Sequence, residues 1–142
     1  MATTIEFYPV EIHTQLLLPF VDTGISAGFP SPALDYTEAV IDLNTELIKN
    51  PSSTFFGRVK GLSMKDAGIN NEDILIVDKS LEPRSGSIAV CFIDGEFTLK
   101  TVIIRKNEVI LMPANEEFSP IKVTSSNDFL IWGVVTYVIK RM

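Results

Sequence analysis

Short apolar runs rich in Val, Ile, Phe and Thr dominate the chain from Thr54 onward, and turn residues separate them. In order, the runs are TFFGRVK, DILIVDK, GSIAVCFI, EFTLKTVIIR, EVILM and FLIWGVVTYVIK. Runs of this length and composition are typical of β-strands. Asp94-Gly95 between two of them favours a two-residue hairpin turn. The pattern therefore predicts a mostly β, strongly curved antiparallel domain.

The first part of the chain has a different pattern. Residues 1 to about 35 contain four prolines and no sustained periodicity, which predicts an irregular, flexible leader. A short helix is expected next, over Leu43 to Lys49, with Asp42 as its N-cap and Pro51 ending it. The expected architecture is thus a β-domain with one short helix behind a flexible leader.

Composition narrows the classes of function. The chain has 142 residues, enough for one domain, and 12 basic against 18 acidic residues give a net charge of −6. This charge argues against a protein that grips DNA phosphates directly, so any role at DNA would run through a partner. The apolar run at 130–139 is too short to span a bilayer, and the N-terminus lacks a secretion signal. A single cysteine fits a reducing compartment, and we expect the protein in the cytoplasm, with no membrane partner.

Several kinds of catalytic site are disfavoured. The only histidine, His13, lies in the leader, away from the expected β-domain. Cys91 falls within IAVCFI and is interpreted as a small buried apolar residue. No cluster of His, Cys, Asp and Glu has metal-ligand spacing, so neither a metal nor a cofactor is predicted. The acidic stretch NNED at 70–73 is interpreted as a solvated turn.

A serine and a lysine remain as candidates. Ser63 lies in KGLSMKDAGI, between a strand and one helical turn, where free backbone N–H groups can hold an oxyanion. Lys100 lies in EFTLKTVII, and burial there would lower its pKa and make its amine a general base. The ordinary alternatives are that the serine caps a turn and that the lysine points to solvent. Lys60 and Lys65, close to Ser63 in sequence, remain open as alternative bases.

Longer stretches resemble a known family. They are AGFPSPALDYTEAVIDLN, GLSM, DILIVD, DGEFTLK, LMPANEEFSPI and GVVTYVIK. Together, in this order and spacing, they resemble the UmuD family, the accessory subunits of SOS mutagenesis polymerases. The resemblance covers nearly the whole chain from Gly28 onward. It implies a LexA-like curved β-domain, shared with SOS repressors and related to signal peptidases.

The resemblance also implies roles for single residues. Ser63 would be the nucleophile and Lys100 the general base of a self-cleaving serine peptidase. The backbone N–H groups of Leu62 and Ser63 would form the oxyanion hole, and the scissile bond would join Ala27 to Gly28. UmuD itself has cysteine before that glycine, whereas the related repressors have alanine. The GLSMKDAGI segment is also closer to the repressor version.

The implied organisation is a cleavable leader, residues 1–27, and a LexA-like domain, residues 28–142. A RecA filament on single-stranded DNA would stimulate the cut, and the product would serve a UmuC-type Y-family polymerase. The family forms homodimers, so cleavage in cis and in trans both remain open. Two alternatives are a non-catalytic polymerase-binding module and a LexA-like regulator lacking a DNA-binding domain. Sequence-specific DNA binding is not expected.

Overall fold

The computed structural model describes residues 4–10, 17–19, 40–61, 64–114 and 119–142. It contains ten β-strands, one α-helix and two 3₁₀ turns within these ranges. The strands are β1 Thr4–Pro9, β2 Leu17–Pro19, β3 Val40–Asp42, β4 Thr54–Lys60, β5 Ile74–Asp78, β6 Ile88–Ile93, β7 Glu96–Arg105, β8 Glu108–Met112, β9 Ile121–Val123 and β10 Phe129–Ile139. The helix α1 spans Leu43–Leu47, and the 3₁₀ turns span Pro51–Ser53 and Lys65–Ala67.

The chain divides into two compact units. One comprises Met1–Val10 with Asn50–Met142, and the other is Glu11–Lys49. In the second unit, β2 pairs with β3 in an antiparallel ladder and α1 follows directly. The Asp42 carboxylate accepts a hydrogen bond from the Asn44 backbone N–H at 3.2 Å, so the predicted N-cap is confirmed. The helix is shorter than expected because the backbone leaves helical geometry at Ile48.

The first unit is built on one eight-stranded antiparallel sheet. Its strands lie in the order β1-β4-β5-β10-β6-β7-β8-β9. The sheet curves strongly, since Phe7 of β1 reaches Phe97 of β7 with ring centroids 5.7 Å apart. Register shifts within β10 interrupt its pairing with both neighbours, and such bulges increase local twist. The predicted curved antiparallel fold with one short helix is therefore confirmed.

The apolar core consists of two clusters of buried side chains. The first cluster contains Val59, Met64, Ile69, Leu75, Val77, Val90 and Leu99. The second contains Ala89, Cys91, Val102 and Leu111. Strands β6 and β7 supply residues to both clusters, because successive side chains of a strand point to opposite faces. The middle of this hairpin is thus covered on both faces, which explains why β6, with the sequence IAVCFI, is apolar throughout.

Two predictions about secondary structure were wrong. We expected no regular structure in residues 1 to 35, but β1 and β2 form there. Pro9 belongs to an edge strand, a position where a missing N–H is tolerated. The strands β3 and β9, each only three residues long, were also missed.

The core assignment predicts a clear difference in stability between two leucine variants. Leu99 is fully buried, whereas Leu130 is 57% exposed. Leu99→Ala should lower the free energy of unfolding by about 2–5 kcal/mol, because it leaves a cavity in the first cluster. Leu130→Ala, measured by the same urea titration, should cost about 1 kcal/mol or less. Equal losses for the two variants would contradict the core assignment.

Candidate catalytic site

Lys100 lies near the middle of β7 and is buried. Its side chain is only 5% exposed, and its partner in the antiparallel register is Ala89 of β6. Leu99 and Val102 on the same strand are fully buried. Lys100 therefore occupies an apolar strand whose neighbours hold it in place, as its sequence context predicted.

This environment shifts the protonation of Lys100. Burial lowers the pKa of the Lys100 amine, because desolvation disfavours its charged form, and the nearby Cys91 acts in the opposite direction. Burial also raises the pKa of the Cys91 thiol to about 12. The thiol is therefore protonated and uncharged at neutral pH. A lysine amine whose neutral form is favoured in this way can act as a general base.

Cys91 itself has the properties of a packing residue. It is fully buried in the second core cluster, as the sequence interpretation predicted. A thiol with a raised pKa carries little thiolate, the form that attacks substrates. Cys91 is therefore poorly suited to act as a nucleophile.

The residues on either side of the Leu62-Ser63 pair are held by different contacts. Gly61, at the end of β4, has a φ of 117° and donates its N–H to the Asn71 side chain at 3.1 Å. Met64 is 1% exposed and belongs to the first core cluster together with Leu99, the residue before Lys100. Leu62 and Ser63 lie outside the described residues, as do Ala27 and Gly28. Their roles as oxyanion hole, nucleophile and cleavage site remain predictions.

A short turn follows Met64 and is fixed to the body of the domain. The Met64 carbonyl accepts hydrogen bonds from the Ala67 N–H at 3.0 Å and the Ile69 N–H at 3.2 Å. The Asp66 N–H donates to the Ala114 carbonyl at 2.8 Å. The expected helical turn before Gly68 is present, as a 3₁₀ turn that ends at this glycine with a φ of 78°.

The structure distinguishes among the lysines that the sequence left open. Lys60 forms an ion pair with Glu72 at the surface. Lys65 is exposed on the 3₁₀ turn. Of these two and Lys100, only Lys100 is buried, and desolvation there lowers its pKa.

The turn at 70–73 is more than a solvated acidic stretch. Asp73 is 5% exposed and pairs with Lys140 at 2.6 Å, so the interpretation as fully solvated was wrong for this residue. The Asp73 carbonyl also accepts the Val59 N–H at 2.9 Å, which ties the turn to β4. A distant lysine near the C-terminus supplies the counter-charge, and no local sequence pattern indicates such a pairing.

The sequence of the chain matches that of a known protein family. The sequence profile of the family described as Peptidase S24-like matches residues 19–136. The chain belongs to this family. It therefore belongs to a family of serine peptidases, in agreement with the enzyme class that the resemblance implied.

Individual relatives refine this placement. The chain is 45% identical to the protein ImpA of Salmonella typhimurium over 124 residues, covering 87% of this chain and 83% of ImpA. It is 38% identical to SamA of Salmonella typhimurium over 133 residues, covering 94% and 92% of the two chains. It is also 41% identical to the LexA repressor of Hahella chejuensis over 118 residues, covering 82% of this chain and 58% of the repressor. The predicted membership of the UmuD family is confirmed.

The part of the chain described by the structure contains no helix that is long and apolar enough to cross a membrane.

The buried lysine predicts a pH-dependent cost to stability. Because burial in the folded protein holds the pKa of Lys100 below its usual value of about 10.4, the unfolded chain binds more protons between the two pKa values. Stability should therefore rise with pH in that window. Lys100→Met removes this charge, so the variant should gain most over the parent at neutral pH and less as the pH rises.

Urea unfolding at about pH 7 and about pH 9 measures this difference, with Ser63→Ala in every variant to prevent cleavage. Lys106, exposed on the turn after β7, provides the control. The free energy of unfolding of Lys106→Met should differ from that of the parent by the same amount at both pH values. A gain for Lys100→Met that stays constant with pH would contradict the assignment.

Proposed function

We propose that this chain is a self-cleaving subunit of SOS mutagenesis that cuts its own Ala27–Gly28 bond with Ser63 and Lys100. The observation that carries the proposal is the burial of Lys100 in β7, which lowers its pKa, in a chain of the Peptidase S24-like family. Gly61 and Met64, which flank the Leu62-Ser63 pair, contact the same domain. The relatives ImpA and SamA support the role in SOS mutagenesis.

The proposed reaction proceeds in two steps. The neutral Lys100 amine takes the proton of the Ser63 hydroxyl, and the Ser63 oxygen attacks the Ala27 carbonyl carbon. The backbone N–H groups of Leu62 and Ser63 hold the oxyanion, the bond to Gly28 breaks, and Lys100 returns the proton to the departing amine. Water then attacks the Ala27–Ser63 ester with Lys100 again as the base, which frees the Ala27 carboxylate and restores the serine.

The bond is part of the same molecule or of a partner subunit, so tight substrate binding is unnecessary. A tethered segment is present at an effective concentration of about millimolar. The residues on either side of the bond, Ala27 and Gly28, are both small. The enzyme thus acts once, as a switch, in cis or within a homodimer.

The cut product, residues 28–142, is proposed to act in the cytoplasm as an accessory subunit of a UmuC-type Y-family polymerase. A RecA filament on single-stranded DNA would stimulate the cleavage. The net charge of −6 supports a route to DNA through protein partners rather than through direct phosphate contacts.

Intact-mass measurement of the full chain tests the proposal. At about pH 10, where more of Lys100 is neutral, or with activated RecA filament, the chain should release a 27-residue peptide. Ser63→Ala and Lys100→Ala should each slow the release by about 10³-fold or more. Lys106→Ala serves as the matched control and should cleave like the parent.

Release by the Ser63→Ala variant at the parental rate would disprove the nucleophile, and the same result for Lys100→Ala would disprove the base. A parent chain that stays intact with activated filament, yet binds the polymerase, would show a binding module with an inert dyad. Retarded migration of operator DNA by the isolated chain would instead favour the regulator, the alternative to which the LexA relative points.

A further inference from the structure

The strand β1 belongs to the leader by sequence but to the β-domain by structure. It spans Thr4–Pro9, upstream of the proposed cleavage site, and lies in the same compact unit as Asn50–Met142. It forms the edge of the eight-stranded sheet and pairs with β4 from Thr4 opposite Lys60 to Pro9 opposite Phe55. Cleavage of the leader would therefore leave an edge strand of the sheet held by non-covalent contacts alone.

The inner face of β1 completes the first core cluster. Ile5 and Phe7 both pack against that cluster. The Phe7 ring lies 4.5 Å from the Trp132 ring and 5.7 Å from the Phe97 ring, measured between centroids. These contacts show that the strand fills an apolar groove.

Gly57 forms part of this groove, and its lack of a side chain makes room for a side chain of β1. A Cβ atom added to Gly57 would lie 2.8 Å from the Ile5 Cγ2 atom, closer than real contacts allow. Its next nearest neighbours are atoms of the Phe7 ring at 3.5 and 3.6 Å. Gly57 thus leaves room that an aliphatic side chain of the added strand occupies.

The outer face and outer edge of β1 are polar or blocked. Glu6 is paired in register with Arg58 of β4, and the Tyr8 hydroxyl donates to the Glu6 carboxylate at 3.2 Å. Pro9 lacks an N–H and discourages further strands from adding to this edge. Strand β4, which pairs with β1, contains no proline, so its edge can accept a new strand once β1 has left.

We propose that the edge of β4, with the groove formed by Phe55, Gly57, Phe97 and Trp132, is a docking site for an extended segment of a partner protein. In the uncut chain β1 occupies this site as an internal competitor. The docked segment would add to the sheet as a strand, with main-chain hydrogen bonds for affinity and alternate side chains for specificity. The timing of its exposure rests on the proposed cleavage of the leader.

The sequence of β1 indicates the chemistry of the segment that would replace it. An aliphatic residue must lie above Gly57, and an aromatic residue two positions later must reach Trp132 and Phe97. The residue between them would lie opposite Arg58 in the register of the sheet, as Glu6 does, and the Arg58 guanidinium itself lies 3.6 Å from the Glu72 carboxylate. The pattern is therefore an aliphatic residue and an aromatic residue separated by one position, on an extended backbone.

Cleavage changes how strongly β1 competes for the edge of β4, and it leaves the docking site itself unchanged. Before the cut, β1 is tethered and has an effective concentration of about millimolar. After the cut, the released leader is a separate molecule, so its occupancy falls on dilution and a partner can displace it. Autocleavage would thus open a strand-binding site in the domain.

A binding assay can test this inference independently of the dyad. The full chain carries Ser63→Ala and a recognition sequence for an added protease, inserted between Ala27 and Gly28. The probe is a fluorescein-labelled peptide of residues 1–10, and the control peptide has serine in place of Ile5 and Phe7. Fluorescence anisotropy reports binding before the cut, and again after the cut and removal of the leader by gel filtration.

The cut chain should bind the probe at least about 100-fold more tightly than the uncut chain, because the tethered strand no longer competes. It should bind the control peptide at least about tenfold more weakly than the probe. Gly57→Val in the cut chain should abolish probe binding, since the added side chain fills the position of Ile5.

A second pair of variants requires no cut. Phe7→Ala in the uncut chain weakens the internal competitor and should raise probe affinity at least about tenfold. Tyr8→Ala alters the neighbouring residue, which is 52% exposed, and should leave affinity at the parental level.

Equal affinity of the cut and uncut chains, or no binding by either, would overturn the proposal. So would a cut chain that pairs with a second copy of itself and excludes the probe. Because the added protease makes the cut, failure of autocleavage in the earlier test would leave this result interpretable and would remove only the proposed trigger.

Discussion

The burial of the Lys100 amine is the constraint on which the proposed chemistry of this protein depends. A lysine can remain 5% exposed in an apolar strand only if favourable packing elsewhere offsets the free-energy cost of removing its amine from water. Here the two core clusters cover opposite faces of β6 and β7, which form a fixed frame around Lys100. The frame disfavours the ammonium form, and the same effect favours the free base. Stability and proposed reactivity therefore depend on a single site.

Much of the fold could be predicted from local pattern. Strands β4, β7 and β8 have the residues that the apolar runs indicated, because their ends coincide with turn residues such as Gly95. Pattern failed where pairing is distant along the chain. β1 finds its partner β4 about fifty residues away and carries a proline, and Asp73 finds its cation at Lys140. Such contacts depend on tertiary structure, which local propensity does not encode.

The candidate site could likewise be predicted from the sequence only in part. The apolar neighbours of Lys100 in sequence indicated burial, but three lysines remained open until the structure showed Lys60 in a surface ion pair and Lys65 exposed. The pairing of Lys100 with Ser63 came from family resemblance, since spacing along the chain does not determine which side chains meet. The leader carries both the proposed substrate bond and a strand of the sheet, so cutting it would alter the domain as well as shorten the chain.

The most direct test of the central claim compares two titrations of the same chain. Nitrogen NMR of the Lys100 side chain in the Ser63→Ala variant gives the pKa of its amine, and the cleavage rate of the parent is measured over the same pH range. If the buried amine is the general base, the Lys100 pKa lies below the usual value of about 10.4 and the cleavage rate rises with the same midpoint. A Lys100 that titrates at about 10.4 while cleavage reaches its maximum at a lower pH would contradict it.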